Sequence, residues 1–393
     1  MLPINRYSFY IVHTFNLYFF NILLLDMSKA FDTIRRDTLI KDLSTVQDPD
    51  ELHMFYLLLH NVEISIKIEE TSGKPFITNI GSPQGDSASA YLFIFYLAIS
   101  LQQRKIPTAL QDHDYSLPSQ NEMITPAPSS DHSYTKTEEK RQYVQDQQYA
   151  DDSGWITTDK KVVKEIIKTI PRKLEERNLQ VNKEKTEIYT IRKNGPEEWK
   201  KCKYLGTALD TITDIKRRKG LAYSAFNTIR PFLTNKSSIR NKIRILEAFV
   251  STIFLYNSEL WTLMKELENK IDVQQRIFLR TCLGITKMDK ISKEELYKRT
   301  NTRPWSNIIE ERRLRFLGHI LRLDPQTPAR RALEEHQKPT KKDPGRPKTT
   351  WWKTISTDLG MPVNMMQNNI EHLIDIAEDR NSWSALVRSA VSH

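Results

Sequence analysis

The alternation of apolar and polar positions divides the chain into a strand-rich first half and a helical second half. Asn21–Leu25 is a short continuous apolar run ending at a polar residue, the pattern of a buried strand. Arg36–Leu43 and Glu51–His60 predict helices, and Val62–Glu69 alternates, with Ile64, Ile66 and Ile68 on one strand face. A loop then leads into a helix over Ala88–Leu101, with Asp86 or Ser87 as its cap. Residues 104–145 are rich in Pro, Ser, Asp and Gln, lack periodicity and read as a long insertion. Two short strands, Gln147–Ala150 and Ser153–Thr157, follow on either side of Asp151-Asp152. A helix over Lys161–Arg177 precedes short strands at Leu179–Val181 and Glu187–Ile191, and Lys203–Leu209 is extended. From Asp214 the pattern is helical. Ile239, Ile243, Leu246, Val250 and Ile253 form one stripe, Ile271–Leu283 is the next helix, and Lys338–Lys348 reads as a Pro/Lys-rich linker. Strands and helices segregated in this way make the fold class α+β, not α/β.

Composition changes this picture little; the placement of charge changes it more. The 393 residues are 39% hydrophobic and 27% charged, an ordinary globular balance, with a formal charge of +10. Residues 192–250 hold 14 Lys/Arg against 5 Asp/Glu, and residues 303–353 hold 13 against 6. Those stretches together carry +16, so the rest of the chain nets −6. Basic charge gathered in the second half suits a polyanionic partner, with solvated helical faces as the plainer reading. Two cysteines, Cys202 and Cys282, build neither a disulfide framework nor a zinc site, and a reducing intracellular compartment fits. Phe9–Leu25 is strongly apolar, but His13, Thr14, Asn16 and Asn21 interrupt it and no small-residue cleavage site follows. That pattern argues against a signal peptide or a membrane segment.

The candidate chemistry is carboxylate chemistry. Leu23-Leu24-Leu25-Asp26 puts an acid at the end of an apolar strand, and Tyr149-Ala150-Asp151-Asp152 puts two more in a tight turn. If the two strands are neighbours in one sheet, Asp26 and Asp151 converge. Two unit charges about 4 Å apart repel by about 4 kcal/mol at an effective dielectric near 20, so the cluster must protonate or bind a cation. Hard oxygen ligands select Mg²⁺ or Mn²⁺, and a pair of such ions suits in-line phosphoryl transfer. Taken alone, an Asp-Asp pair is more often a surface turn. Its neighbours in the sequence decide otherwise.

Leu25-Asp26-Met27-Ser28-Lys29-Ala30-Phe31-Asp32 resembles the first palm motif of the reverse transcriptases of non-LTR (LINE-type) retrotransposons. Gly81-Ser82-Pro83-Gln84-Gly85-Asp86 is similar to the second, Tyr149-Ala150-Asp151-Asp152 to the third, and Asn182-Lys183-Glu184-Lys185-Thr186-Glu187 to the fourth. Lys203-Tyr204-Leu205-Gly206 is similar to the fifth, which grips the primer. Arg313-Leu314-Arg315-Phe316-Leu317-Gly318-His319-Ile320 and Gly345-Arg346-Pro347 resemble the region after the thumb, so the likeness spans about residues 20–360.

This resemblance implies a right-hand polymerase: a palm of antiparallel sheet flanked by helices, then an all-helical thumb and C-terminal region. The implied division is an apolar segment 1–20, a palm 21–210 with insertion 104–145, a thumb 211–285 and a basic region 286–393 with linker 338–348. It implies an RNA-directed DNA polymerase (a nucleotidyltransferase) using two Mg²⁺ or Mn²⁺ ions, an RNA template, a DNA primer and dNTPs. Asp26, Asp151 and Asp152 would be the catalytic metal carboxylates, with Lys185 a general acid near the leaving pyrophosphate. Phe31 would lie under the sugar and exclude a ribose 2′-hydroxyl, with a plain core phenylalanine as its other reading. Gln84 and Gly85 would border the incoming nucleotide. Tyr204 and Gly206 would hold the primer end, and Lys216, Arg217, Arg218 and Lys219 would contact duplex phosphates or form a solvated charge run.

The chain also departs from the family. A fingers subdomain precedes the first motif there, whereas Arg6 is the sole Lys or Arg before Asp26 here. Neither an apurinic-type endonuclease domain nor a Cys/His knuckle is recognisable. The expectation is a 5′-truncated element fragment with an intact metal site and weakened polymerase activity. The alternative is a non-catalytic remnant that only binds nucleic acid. Localisation to nucleus or cytoplasm and the oligomeric state stay open.

Overall fold

The computed structural model describes residues 19–82, 88–102, 144–149, 152–157, 159–192, 195–327, 329–330, 333–334 and 349–391. They fall into two compact units divided between Pro196 and Glu197, earlier than the expected palm boundary at 210. The first unit is built on one apolar strand. In β1 (Phe19–Ser28), Leu23, Leu25 and Met27 alternate onto one face and are nearly inaccessible. Burial of each such side chain contributes about 1.5–3 kcal/mol. The helices that cover this face are α1 (Arg36–Leu43), α2 (Pro49–Leu59), α3 (Ser89–Gln102) and α4 (Lys160–Glu175). Their contributions include Leu39, Leu43, Leu59, Phe93, Tyr96, Leu97, Val163 and Ile166. Caps fix where helices start: Asp48 accepts from the amides of Asp50 and Glu51 with Pro49 behind it, and Asp159 accepts from Lys161.

Between α2 and α3 lie β2 (Val62–Ile64), β3 (Lys67–Ile68), β4 (Thr71–Ser72) and β5 (Phe76–Thr78). After α3 come the hairpin strands β6 (Val144–Tyr149) and β7 (Asp152–Thr157), then β8 (Gln180–Arg192) beyond α4. The main sheet has the order β6-β7-β1-β8, antiparallel throughout.

Two strand expectations need correction. Val62–Glu69 is not one strand: it breaks into β2, paired with β5, and β3, paired with β4. Ile64, Ile66 and Ile68 stay exposed, so the alternation marks no core face. The short strands expected at Leu179–Val181 and Glu187–Ile191 are one strand, β8, running through the polar residues between them. β8 pairs on one side only, and an edge strand can leave polar side chains in water.

The second unit opens with a hairpin of β9 (Lys203–Tyr204) and β10 (Thr207–Ala208). α5 (Thr211–Thr234) follows, then α6 (Ile239–Leu246), which continues through a π-turn at Glu247–Ser251 into Thr252–Phe254. That turn adds a residue to the helical cycle, so the buried stripe ends at Phe254 and Ile253 is only half-buried. α7 (Lys265–Leu283), α8 (Lys293–Thr300) and α9 (Trp305–Leu321) complete one core with them. Phe226, Phe254, Phe278 and Trp305 meet at its centre, so packing continues across position 285. α10 (Trp351–Asp358), α11 (Val363–Asn368), α12 (Ile370–Glu378) and α13 (Arg380–Val391) finish the chain. Trp383 lies against Gly318 of α9 and donates to the Leu314 carbonyl at 3.0 Å. No helix among the described residues is long and apolar enough to cross a membrane, and Asn21–Leu25 belongs to β1.

Candidate active site

Alternation along β1 decides where Asp26 goes. Leu25 and Met27 enter the helix-covered core, so Asp26 stands on the opposite, open face of the sheet. Leu25 pairs with Ser153 of β7, and Asp26 and Asp152 are the next residues beyond that last pair, one on each strand. Trp155, two residues on from Ser153 on the same face of β7, belongs to the helix-covered core, so alternation puts Asp152 on the open face as well. Asp151, like Gln84 and Gly85, lies outside the described residues.

The Asp26 side chain is 26% exposed, but its Oδ2 is buried and accepts no hydrogen bond. The Lys185 ammonium sits 3.2 Å from that oxygen as an ion pair, without hydrogen-bond direction. β8 explains how the lysine arrives there. Leu24 pairs with Glu187 and Asp26 with Asn182, so residues 183–186 bulge out opposite Leu25. Asn182 closes the bulge: its Oδ1 accepts from the amides of Glu184 and Lys185, and its carbonyl accepts from the Thr186 hydroxyl. The fourth motif is therefore a capped bulge aimed at the acid. Asn182 had no expected role within the fourth motif, although an Asn bonding the backbone two residues on is a turn signal.

Phe31 is half-buried and its ring meets Phe93 at 4.6 Å. Its carbonyl accepts from the Ser82 amide at 2.8 Å, and the Ile34 carbonyl accepts from Gly81. Gly81 has φ +82°, and a Cβ there would come 3.2 Å from the Asp32 carbonyl oxygen, so a glycine suits this approach of the second motif to the first. Arg36 secures it. Its buried guanidinium donates to the carbonyls of Gly81 (2.5 Å), Thr78 (3.1 Å) and Leu59 (3.3 Å). No periodicity marks Arg36 in the sequence.

In the second unit, Tyr204 is buried and Gly206 is in the β9–β10 turn. The four basic residues expected on nucleic acid separate. Lys216 and Lys219 are exposed. Arg217 donates to the Gly206 carbonyl at 2.8 Å while Arg218, buried, donates to the same oxygen and lies 4.4 Å over the Tyr256 ring. Arg218 thus braces the turn instead of facing a phosphate. Of the basic residues in 303–353, Arg331, Lys338, Lys341, Lys342, Arg346 and Lys348 lie outside the described residues, and most of the others have partners within the fold. Arg303 and Arg315 pair with Glu311, and Arg313 pairs with Asp358. Arg312, Arg322 and Arg330 donate to the carbonyls of Leu255, Ala377 and Leu321. Arg312, Arg313, Arg322 and Arg330 thereby tie separate segments together, while Arg303 and Arg315 stay more than half exposed. Among the described residues, α5 and α6 carry exposed basic side chains at Lys216, Lys219, Arg230, Arg240 and Arg244.

Among the described residues no three His, Cys, Asp or Glu side chains form a metal-sized group. The donor set still fits a hard divalent ion: Asp26 has a buried carboxylate oxygen without a hydrogen bond, it already attracts an ammonium, and Asp152 lies on the adjacent strand.

Residues 21–209 match the family of reverse transcriptases (RNA-dependent DNA polymerases). That match covers slightly less than half of the chain. All five motifs lie within the matched residues or end at their edge. A putative uncharacterized transposon-derived protein of Caenorhabditis elegans is 21% identical to this chain over 262 residues, 61% of this chain and 94% of that protein. Among solved structures, the telomerase of Candida tropicalis in complex with a TWJ fragment of telomeric RNA has 14% identity and a TM-score of 0.38. The alignment covers 84% of this chain and 51% of the telomerase chain, so this chain spans about half its length. The reverse transcriptase family generally uses divalent metal ions.

Proposed function

We propose that the chain is an RNA-directed DNA polymerase of the non-LTR (LINE) type, adding deoxynucleotides to a primer 3′ end on an RNA template. What supports this reading is the buried Asp26 oxygen left without a hydrogen bond on the open sheet face, with Asp152 on the neighbouring strand. Asp26, Asp151 and Asp152 would hold two Mg²⁺ or Mn²⁺ ions, which supply charge neutralisation for the primer hydroxyl and the departing pyrophosphate. Lys185 reaches this site from the β8 bulge; in the reaction its Nζ donates a proton to the leaving pyrophosphate. Phe31, fixed against Phe93, supports the sugar and disfavours a 2′-hydroxyl. Gln84 and Gly85 border the base pair being formed. Tyr204 and Gly206 hold the primer end, while Lys216 and Lys219 contact backbone phosphates. The palm spans the sheet unit, and the thumb is built on α5 to α7.

The test is extension of a DNA primer on an RNA template with Mg²⁺ or Mn²⁺ by the full chain. Asp26→Ala and Asp151→Ala should each remove extension while leaving template binding intact. Binding without any extension by the unsubstituted chain would replace the polymerase reading with that of a nucleic-acid-binding remnant.

A further inference from the structure

The β9–β10 turn is backed by side chains to which the motif itself assigns nothing. Its central residues, Leu205 (φ +50°) and Gly206 (φ +72°), are both left-handed, the geometry of a type I′ hairpin turn. Glycine accepts that conformation freely. Leucine does not, and a non-glycine residue stays there only where its surroundings hold it.

Those surroundings are explicit. The Tyr256 hydroxyl donates to the Leu205 carbonyl at 3.2 Å. Arg217 and Arg218 of α5 both donate to the Gly206 carbonyl, and Asn257 donates to the Thr207 hydroxyl at 2.7 Å. Asp214, fully buried, accepts from the Ala208 amide and from the Trp261 indole, each at 3.0 Å. Its Oδ1 also lies 3.7 Å from the Arg218 guanidinium, which in turn lies over the Tyr256 ring. Both carbonyls of the turn are thereby held by donors from α5 and from the segment after α6. A charge-assisted bond to a turn carbonyl is stronger than the contact with water that would replace it.

We propose that Tyr256, Arg218 and Asp214 are positioning residues that lock the Leu205-Gly206 turn in the shape that presents a primer terminus. The inference rests on the polymerase reading and adds to it a mechanical link: the turn and the first thumb helix move as one body. A displacement of α5 is carried to the turn through Arg217, Arg218 and Asp214. The substrate part governed by this link is the 3′-terminal nucleotide of the primer, not the incoming triphosphate.

The test uses the full chain, a primer–template with 2-aminopurine at the primer 3′ end, and the variants Tyr256→Phe and Arg218→Lys. Tyr256→Phe keeps the ring under Arg218 and removes one hydroxyl from a half-exposed site. It should raise the KM for primer–template about fivefold, the worth of one net hydrogen bond, with the dNTP KM and melting temperature unchanged. Terminal 2-aminopurine fluorescence should rise as the end loosens. Arg218→Lys, which loses the fork and the stacking on Tyr256, should act in the same direction and more strongly. Wild-type KM and fluorescence in both variants would overturn the proposal. So would a loss of melting temperature with primer and dNTP parameters impaired alike, the mark of a fold staple. If the unsubstituted chain extends primers and the variants match it, only this proposal falls; if the unsubstituted chain does not extend at all, the polymerase reading falls first.

Discussion

Replacing Arg36 by Met should loosen the junction between the first two palm motifs. The guanidinium is buried and donates to three backbone carbonyls, at 2.5, 3.1 and 3.3 Å, from Gly81, Thr78 and Leu59. Burial lowers its pKa, yet an arginine stays charged at neutral pH. Hydrogen bonds from a charged donor are worth about 1.5–3 kcal/mol each, and leaving buried carbonyls without a donor adds a desolvation cost. The bonds share one side chain and do not add fully, so about 3–5 kcal/mol is expected for the loss, in line with breaking a buried charged contact. Methionine fills similar length without a donor; Arg36→Lys keeps one charge but cannot reach three carbonyls at once, and should fall between. Six of the seven tryptophans lie beyond Pro196, so global fluorescence would report the wrong unit. Hydrogen exchange of the Arg36, Gly81 and Ser82 amides reads the right one, since they bond to Asn79, Ile34 and Phe31. A loss of 3 kcal/mol accelerates exchange by about a hundredfold. Protection of Gly81 and Ser82 within about threefold of wild type would refute the reasoning, because it would place the net worth of Arg36 below about 1 kcal/mol.

Two further predictions follow from charges. Lys185→Met removes the ammonium beside Asp26; because the lysine is largely exposed, the pair is worth under about 1 kcal/mol and Mn²⁺ affinity should tighten about two- to fivefold, read by calorimetry. Weaker Mn²⁺ binding would mean that Lys185 supports the site instead of competing for it. Glu310 has its pKa pushed up to about 7 by burial, with Asp358 adding to the shift. Its folded form holds a proton that the unfolded chain gives up near 4.5, so stability should decline as pH rises from about 4.5 to about 7, by on the order of 2 kcal/mol. Glu310→Gln should flatten that slope and melt higher than wild type at pH 8; an unchanged slope would show that the carboxyl is solvated.

Where local pattern and tertiary demand coincide, the chain reads directly. Arg36–Leu43 is a helix with the expected bounds, the apolar run at Asn21–Leu25 is the central strand, and Asp152 begins the strand expected after the turn. The acid expected at the end of that strand lies within it, since β1 runs on to Ser28, and β-alternation obliges Asp26 to leave the core. By contrast, the alternating Ile64, Ile66 and Ile68 had the period of a buried strand without its burial, because a period of two only says that residues share a face. It does not say that anything covers the face.

The sequence by itself determined the strand that carries Asp26, the strand that follows Asp151, and the helical nature of the second half, since these follow from neighbours a few residues apart. Tertiary structure alone decided which charges are free. The arginines between Arg303 and Arg330 look like a polyanion track in one dimension, yet they end on carboxylates and helix-end carbonyls brought from up to 57 positions away. The same holds for Arg218, Arg36 and the Lys185–Asp26 pair. The physical reason is that a guanidinium or ammonium has no inherent role: its partner is whichever acceptor the folded backbone places within about 3 Å, and that distance is set by packing, not by sequence separation.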